Sequence, residues 1–131
     1  MKLWIDDIRR PYPEYDTWAI TPHAAIRLIN ENYDKLEAVS FDHDLGIYHE
    51  APRDGYDVAK HLEEMVFRGR VKKPFHISIH TSSNIGASQL LQCAKQICKS
   101  LGMDPDLWIT VISSAKQSHP ETPKEVEPQD I

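Results

Sequence analysis

The sequence contains no long apolar segment, since no stretch approaches the roughly 18 to 20 apolar residues that a membrane-spanning helix needs. The first residues also lack the apolar core of a secretory signal, because Asp6 already interrupts them. Cysteine is scarce, and its two copies, Cys93 and Cys98, do not form the Cys-x-x-Cys pair typical of zinc and redox sites. We therefore expect a reduced, cytoplasmic protein with no membrane partner.

Basic residues are too few for broad nucleic-acid binding. Lysine and arginine total 15 against 20 aspartate and glutamate residues, and the basic residues form no stripe. Binding along a DNA or RNA backbone depends on neutralising many phosphates, so we do not expect broad DNA binding. This charge still allows a small phosphate-containing ligand such as a nucleotide. The oligomeric state is left open.

Several familiar catalytic motifs are also missing. The chain has no glycine-rich phosphate loop, no Gly-x-Ser-x-Gly nucleophile elbow and no pair of histidines at zinc spacing on one helix. Any catalytic chemistry must therefore come from another arrangement of side chains.

Short apolar runs alternate with amphipathic segments along the chain. The apolar runs predict five strands, over residues 2–5, 18–20, 37–41, 75–79 and 107–112. Apolar residues at helical spacing predict three helices, over about residues 22–33, 54–69 and 85–101. Strands that alternate with crossover helices are typical of a parallel sheet, so we predict an α/β three-layer sandwich with a five-stranded parallel sheet.

Two segments do not follow this alternation. Residues 8–17 are too short and too rich in proline for a crossover helix, so we expect an irregular flap and a missing or reduced first crossover helix. Residues 115–131 combine prolines with acidic residues and contain almost nothing apolar, which predicts a disordered tail. The expected organisation is one domain over residues 1–114, followed by a tail over residues 115–131.

Acidic residues follow two of the predicted strands. Asp6 and Asp7 come after the first strand, and Asp42 comes after the third. The carboxyl ends of parallel strands meet at one edge of a sheet, where α/β proteins bind their ligands. Three carboxylates so close together must take up protons or bind a cation, and magnesium suits hard oxygen ligands beside a phosphate. The alternative is that these acids only solvate loops or cap helices.

Further polar residues lie close to these acids in the sequence. Asp44 faces the same side as Asp42 in an extended chain, so it is either another ligand of the cation or part of a turn. His43 either moves protons at the site or hydrogen-bonds a neighbouring loop. Arg9 either binds a phosphate or pairs with the acidic cluster.

The fourth predicted strand runs directly into a polar segment, residues 80–84. His80 is the first choice for a general acid or base, because histidine exchanges protons near neutral pH. The hydroxyls that follow it, on Thr81 and Ser82, would bind a phosphoryl oxygen together with the start of the next helix. The alternative is that Ser83 or Asn84 only caps that helix.

An acid pair after the first strand, an aspartate after the third and a hydroxyl after the fourth resemble the receiver fold of two-component signalling. The resemblance implies a flavodoxin-like topology, a magnesium ion held by Asp6, Asp7 and Asp42, and Asp42 as the acceptor of a phosphoryl group. Thr81 or Ser82 matches the receiver hydroxyl. The lysine that receivers carry at the end of the fifth strand is displaced here to Lys116.

Three longer motifs resemble the cyclic-phosphate processing receiver-like domains. Residues 3–11 read Leu-x-x-Asp-Asp-x-Arg-x-Pro, residues 42–46 read Asp-His-Asp-Leu-Gly, and residues 80–84 give a His-Ser/Thr-x-Asn element with one extra serine. The resemblance implies a magnesium-dependent phosphoesterase that acts on a cyclic phosphate, at a 2′,3′-cyclic RNA end or in a cyclic nucleotide. The expected catalytic residues are His80, Asp42 and Asp44. The expected substrate-binding residues are Arg9, His43, Thr81, Ser82 and Asn84. The alternatives are a non-catalytic phosphoacceptor and a protein that sequesters a nucleotide.

Overall fold

The sheet of the computed structural model, which describes residues 1–112 and 126–130, is parallel throughout. Its strands are β1 (Lys2–Ile5), β2 (Thr17–Ala19), β3 (Ala38–Phe41), β4 (His76–Ile79), β5 (Ile109–Val111) and β6 (Pro128–Gln129). They lie in the order β5-β4-β3-β1-β2-β6. The first five strands coincide with the predicted apolar runs, so the predicted α/β class and receiver-like topology are confirmed.

The sixth strand corrects the predicted strand count. β6 pairs with β2 and forms the edge of the sheet, with Trp18 opposite Pro128, and Ile20 N donates to Gln129 O at 2.8 Å. A two-residue strand that begins with proline carries no apolar pattern, and proline is tolerated at a sheet edge, so the sequence did not indicate it. β6 falls inside the segment predicted to be a disordered tail. Residues 113–125 and 131 lie outside the described residues, and the domain boundary at residue 114 stays a prediction.

The three predicted helices are present. They are α1 (Pro22–Asn32), α2 (Gly55–Phe67) and α3 (Asn84–Leu101). Each begins with a side-chain cap: Thr21 accepts from Ala24 N, Asp54 from Asp57 N and Ser83 from Gly86 N. No helix within the described residues has the length and apolar character needed to cross a bilayer.

Two short helices were not predicted. A 3₁₀ helix over Tyr33–Lys35 follows α1, and α4 (Pro105–Trp108) precedes β5. Asp104 caps α4 by accepting from Asp106 N, and proline follows it at the first helical position. The beginning of the fifth predicted strand is therefore helical.

The order of the strands decides which face each connection covers. The chain moves in one direction across the sheet from β2 to β3, β4 and β5, so right-handed crossovers place α1, α2 and α3 on the same face. On this face Leu3, Val39 and Ile77 form part of one buried core with the helices. The step from β1 to β2 runs in the opposite direction, which places its connection on the other face. Within residues 1–112 and 126–130, that face carries no long helix, so the second helical layer of the predicted sandwich is missing there.

The connection from β1 to β2, residues 6–16, is irregular, as predicted. Trp4 packs against Tyr12 and Tyr15 of this connection, with ring centroids 5.0 and 5.2 Å apart. The Trp4 indole donates to Arg9 O at 2.9 Å, and the Trp18 indole donates to Asp6 O at 2.7 Å. These contacts hold the segment against the sheet and fix the backbone from Asp6 to Arg9 at the carboxyl end of β1.

Candidate functional site

The carboxyl ends of β1, β3 and β4 meet at one edge of the sheet. The backbone ladder continues one residue past each strand, since Asp6 N donates to Ala19 O, Asp42 N to Ile5 O and His80 N to Phe41 O. The structure therefore brings together the polar residues that the sequence placed after these strands.

Asp6, Asp7 and Asp42 form a compact acidic cluster. One carboxylate oxygen of each residue lies within 4.8 Å of the other two. Asp6 and Asp42 are buried. Burial raises the pKa of Asp42 to about 7, and the neighbouring charge of Asp6 adds to the rise. The pKa of Asp7 is raised by burial and by the charges of Asp6 and Asp44. Near neutral pH, this crowding of carboxylates favours either a proton on Asp42 or a bound cation.

Asp6 is the member of the cluster whose pKa is lowered, so it is ionised at neutral pH. Its Oδ1 accepts from the backbone N–H of Ile8 and of Arg9, both at 2.8 Å, and its Oδ2 lies 3.0 Å from His80 Nε2. Burial raises the pKa of Asp6, but these hydrogen bonds outweigh burial, and the pKa lies below its usual value. The orientation of Asp6 is therefore fixed from three directions.

His80 lies beneath the acidic cluster and is 0% exposed. Its ring stacks on Trp4 with centroids 3.9 Å apart. Its Nδ1 lies 2.6 Å from Ser40 Oγ, and burial lowers its pKa, so the ring is neutral. Because ionised Asp6 can only accept, Nε2 carries the proton and Nδ1 accepts from Ser40.

This placement does not fit the predicted role of His80 as a general acid or base. Both ring nitrogens are engaged within the protein, and no surface of the ring is exposed to a ligand. The ring instead orients the Asp6 carboxylate from below.

A pocket of about 220 Å³ opens above the cluster. Its lining comprises Asp6, Asp7, Ile8, Arg9, Asp42, Asp44, Gly46 and Ser82. Arg9 Nη1 lies 4.0 Å from Asp6 Oδ2 and donates to His80 O at 3.3 Å. Arg9 therefore lies close to an acid and also lines the pocket, and its binding of a phosphate stays a prediction. Ser82 brings a hydroxyl to the same space.

Asp44 lines the pocket but is not part of the cluster of three. Its side chain is 75% exposed, and its Oδ1 lies 2.9 Å from His43 Nδ1. His43 Nε2 lies 3.0 Å from Gln89 Oε1. Burial lowers the pKa of His43, but the hydrogen bonds with Asp44 and Gln89 outweigh it and the net pKa is raised. His43 is not among the residues that line the pocket, and its hydrogen bond with Gln89 links its own loop to α3.

The residues that follow β4 have different positions relative to the pocket. Thr81 is buried and hydrogen-bonds the Asp42 carboxylate, and its Oγ1 accepts from Ser83 N at 3.2 Å. Ser83 is the cap of α3, as one of the predicted alternatives held. Asn84 is the exposed first residue of α3 and does not line the pocket. Of the predicted substrate-binding residues, only Arg9 and Ser82 line it.

Three contributors were missed at the sequence level. Ser40 precedes Asp42 by two residues and so shares its face of the strand, which was a usable signal. Gly55 approaches the chain closely, because an added Cβ would lie 1.8 Å from Asp42 O. Gly86 makes room for His43, whose Cγ would lie 2.5 Å from an added Cβ. The two glycines depend on contacts between distant segments, which no local pattern reveals.

The parallel sheet order, the acidic cluster at the carboxyl ends of β1 and β3, and the hydroxyl residues after β4 define a receiver-type domain. A comparison with protein-family models agrees: the model described as "Cyclic-phosphate processing Receiver domain" matches residues 1–96. The chain belongs to this family. Comparisons with curated proteins and with solved structures found no match.

Proposed function

We propose that this protein is a divalent-metal-dependent phosphoesterase that hydrolyses a cyclic phosphate, either a 2′,3′-cyclic RNA end or a cyclic nucleotide. The observation that carries the proposal is the triad of carboxylates, Asp6, Asp7 and Asp42, within 4.8 Å of one another at the base of a pocket that also holds Arg9. The family to which the chain belongs supports a link to cyclic-phosphate processing.

The donor set fits magnesium. All three side chains offer hard carboxylate oxygens, and burial together with the charge of Asp6 raises the pKa of Asp42 although Arg9 lies nearby. Four carboxylates and one guanidinium line the pocket, so a phosphate would be repelled unless a cation were bound. A bound Mg²⁺ would polarise the phosphoryl group and lower the pKa of water. Asp6, Asp7 and Asp42 would hold it, and Thr81 would orient the Asp42 carboxylate.

The remaining residues of the pocket supply orientation and proton transfer. Arg9 and Ser82 donate hydrogen bonds to the non-bridging oxygens of the phosphate. Asp44, exposed and positioned by His43, accepts a proton from the attacking water. The water oxygen bonds to phosphorus, one ring P–O bond breaks, and the leaving sugar oxygen takes up a proton from solvent, to which Asp44 then releases the proton that it accepted. The product is a phosphomonoester.

The test is incubation of the full chain with a 2′,3′-cyclic nucleoside monophosphate, with MgCl₂ or with a chelator, and chromatography of the product. Asp42→Asn is the test variant, and Asp106→Asn is its matched control, because Asp106 is an exposed acid on α4 away from the pocket. We expect turnover that requires Mg²⁺, a loss of about 100-fold or more in Asp42→Asn, and wild-type turnover in Asp106→Asn. Full turnover in Asp42→Asn or in chelator would contradict the proposal.

A second function is favoured by one contact. Asp42 hydrogen-bonds Thr81, the pairing of aspartate and hydroxyl expected of a phosphoacceptor receiver. A phosphoryl group that stays on Asp42 after incubation with acetyl phosphate, seen as an acid-labile mass increase, would support that function. Tight binding of the cyclic nucleotide without any product would instead support a sequestering protein.

A further inference from the structure

A second pocket lies on the face of the sheet where the described residues place no long helix. Its volume is about 320 Å³, and it shares no lining residue with the pocket above the acidic cluster. Ala38, Ser78 and Thr110 line it from β3, β4 and β5, and Tyr12 and Tyr15 line it from the connection between β1 and β2. Parallel sheets are usually covered on both faces. The pocket is therefore bounded by strands on one side and by an irregular segment on the other.

Ser78 gives this pocket a polar group without a partner. In β4 its side chain lies on the face opposite to that of Ile77 and Ile79, which belong to the core shared with the helices. Ser78 is 7% exposed, and among the described residues its Oγ is the one buried side-chain polar atom that makes no hydrogen bond. The Tyr15 hydroxyl lies close to Ser78, but no hydrogen bond of normal geometry joins the two. A buried hydroxyl left unpaired is costly, so a ligand group that hydrogen-bonds it is favoured.

The other residues of the lining favour an uncharged aromatic ligand. Tyr12 and Tyr15 offer rings, which favour other rings in offset or edge-on contact. The charges around the pocket nearly cancel, because Glu37 lies 3.8 Å from the N-terminal ammonium, and Lys2 and Glu14 have opposite signs. The lining therefore does not select a phosphate or a carboxylate. The volume lies at the lower end of the roughly 300–1,000 Å³ that is usual for small-molecule sites, which suits a molecule of one or two rings.

We propose that this pocket binds a small, uncharged aromatic molecule whose hydroxyl or carbonyl group hydrogen-bonds Ser78 Oγ. The ligand supplies the partner that Ser78 lacks in the free protein, and the rings of Tyr12 and Tyr15 supply apolar contact. The site is separate from the acidic cluster, and it does not depend on the proposed hydrolysis of a cyclic phosphate.

The experiment measures the binding of two probes, phenol and toluene, to the full chain by two-dimensional ¹⁵N NMR. The probes have the same ring, and only phenol carries a hydroxyl. Ser78→Ala is the test variant, because it removes the unpaired hydroxyl. Ser100→Ala is its matched control, since Ser100 is an exposed serine near the end of α3. Ala38→Phe is a blocking variant that adds a ring to the lining of the pocket.

We expect both probes to bind the wild type and to shift the amide signals of lining residues such as Tyr15 and Thr110. Ser78→Ala should weaken phenol binding by about 3-fold to 10-fold, as expected for one hydrogen bond, and leave toluene binding unchanged. Ser100→Ala should change neither affinity, and Ala38→Phe should weaken both. Unchanged phenol affinity in Ser78→Ala would overturn the proposal, and so would the absence of shifts at the lining residues of the wild type.

Thermal unfolding tests whether Ser78 is unpaired in the free protein. Ser78→Ala should unfold at a temperature no lower than the wild type, because it removes a buried hydroxyl that makes no hydrogen bond. A clearly lower unfolding temperature would show that this hydroxyl is already paired, and the proposal would be wrong. Neither measurement uses Mg²⁺ or a cyclic phosphate, so failure of this site and failure of the proposed phosphoesterase are distinguishable.

Discussion

Replacing Asp42 with asparagine is expected to change how the stability of the metal-free protein depends on pH. Asp42 is 7% exposed, and its pKa rises from 3.8 to about 7 on burial beside Asp6. The folded state therefore holds the Asp42 proton more tightly than the unfolded chain, whose aspartate titrates near pH 4. Below about pH 4 both states are protonated and the carboxyl carries no penalty. As the pH rises to about 7, the unfolded chain releases the Asp42 proton, whereas the folded state must keep that proton or bury a charge. The free energy of unfolding therefore falls over this range.

The size of the loss follows from the pKa difference. A rise from 3.8 to about 7 corresponds to about 4 kcal/mol, and relaxation of the site toward water lowers the expected value to about 2–4 kcal/mol. Other groups titrate in the same range, because burial lowers the pKa of His80 and raises that of Asp7. The quantity to measure is therefore the free energy of unfolding of the wild type minus that of Asp42→Asn.

The assay is urea unfolding of both proteins in chelator at intervals from pH 4 to pH 8, followed by circular dichroism. The difference should fall by about 2–4 kcal/mol between pH 4 and pH 7.5, at equal denaturant slopes for the two proteins. Mg²⁺ at pH 7.5 should restore stability to the wild type and not to the variant. A difference that stays flat across this range would refute the assignment of Asp42 as a buried carboxylate without a compensating charge.

Three further results are expected. Gly55→Ala should destabilise the protein by about 3 kcal/mol or more, because the new Cβ would lie 1.8 Å from the backbone oxygen of Asp42. Gly69→Ala is the control, since its Cβ would meet open space at a φ of +75°, and it should cost about 1 kcal/mol. Thermal unfolding of both variants measures the two losses of stability, and equal losses would contradict the close approach at Gly55. His80→Asn should weaken Mg²⁺ affinity by about 10-fold to 100-fold in calorimetric titrations, because Asp6 loses the donor that orients it, and unchanged affinity would remove the positioning role. Cys93, whose pKa burial raises to about 12, should resist iodoacetamide at pH 8 until the protein is unfolded in urea; rapid labelling of the folded chain would show that the thiol is accessible.

Much of the fold could be predicted because the signals were local. Apolar runs marked β1, β3 and β4, and helical spacing marked α1, which begins with the cap Thr21 followed by Pro22. The carboxyl-end position of Asp6 and Asp42 then followed from the parallel arrangement alone. α4 was missed although Asp104-Pro105 carries the same kind of start signal, because the apolar residues after it were assigned to a strand.

The depth of each site residue could not be predicted in the same way. His80 and Asp42 both follow a buried strand, yet only Asp42 reaches the pocket. The difference arises from Trp4 and Ser40, which enclose the His80 ring from neighbouring strands. A strand pattern predicts the edge of the sheet at which a side chain lies, whereas its accessibility depends on packing between segments that are distant in the sequence.

The two indole contacts at the carboxyl end of β1 give the chain an intrinsic optical probe. Trp4 stacks on the His80 imidazole, which orients Asp6, and the Trp18 indole donates to the Asp6 carbonyl. Two of the three tryptophans therefore contact Asp6 or the side chain that positions it. A change of charge at that cluster alters the electric field on both chromophores. Fluorescence emission of the unlabelled protein should therefore follow the binding of ions directly, without any added dye.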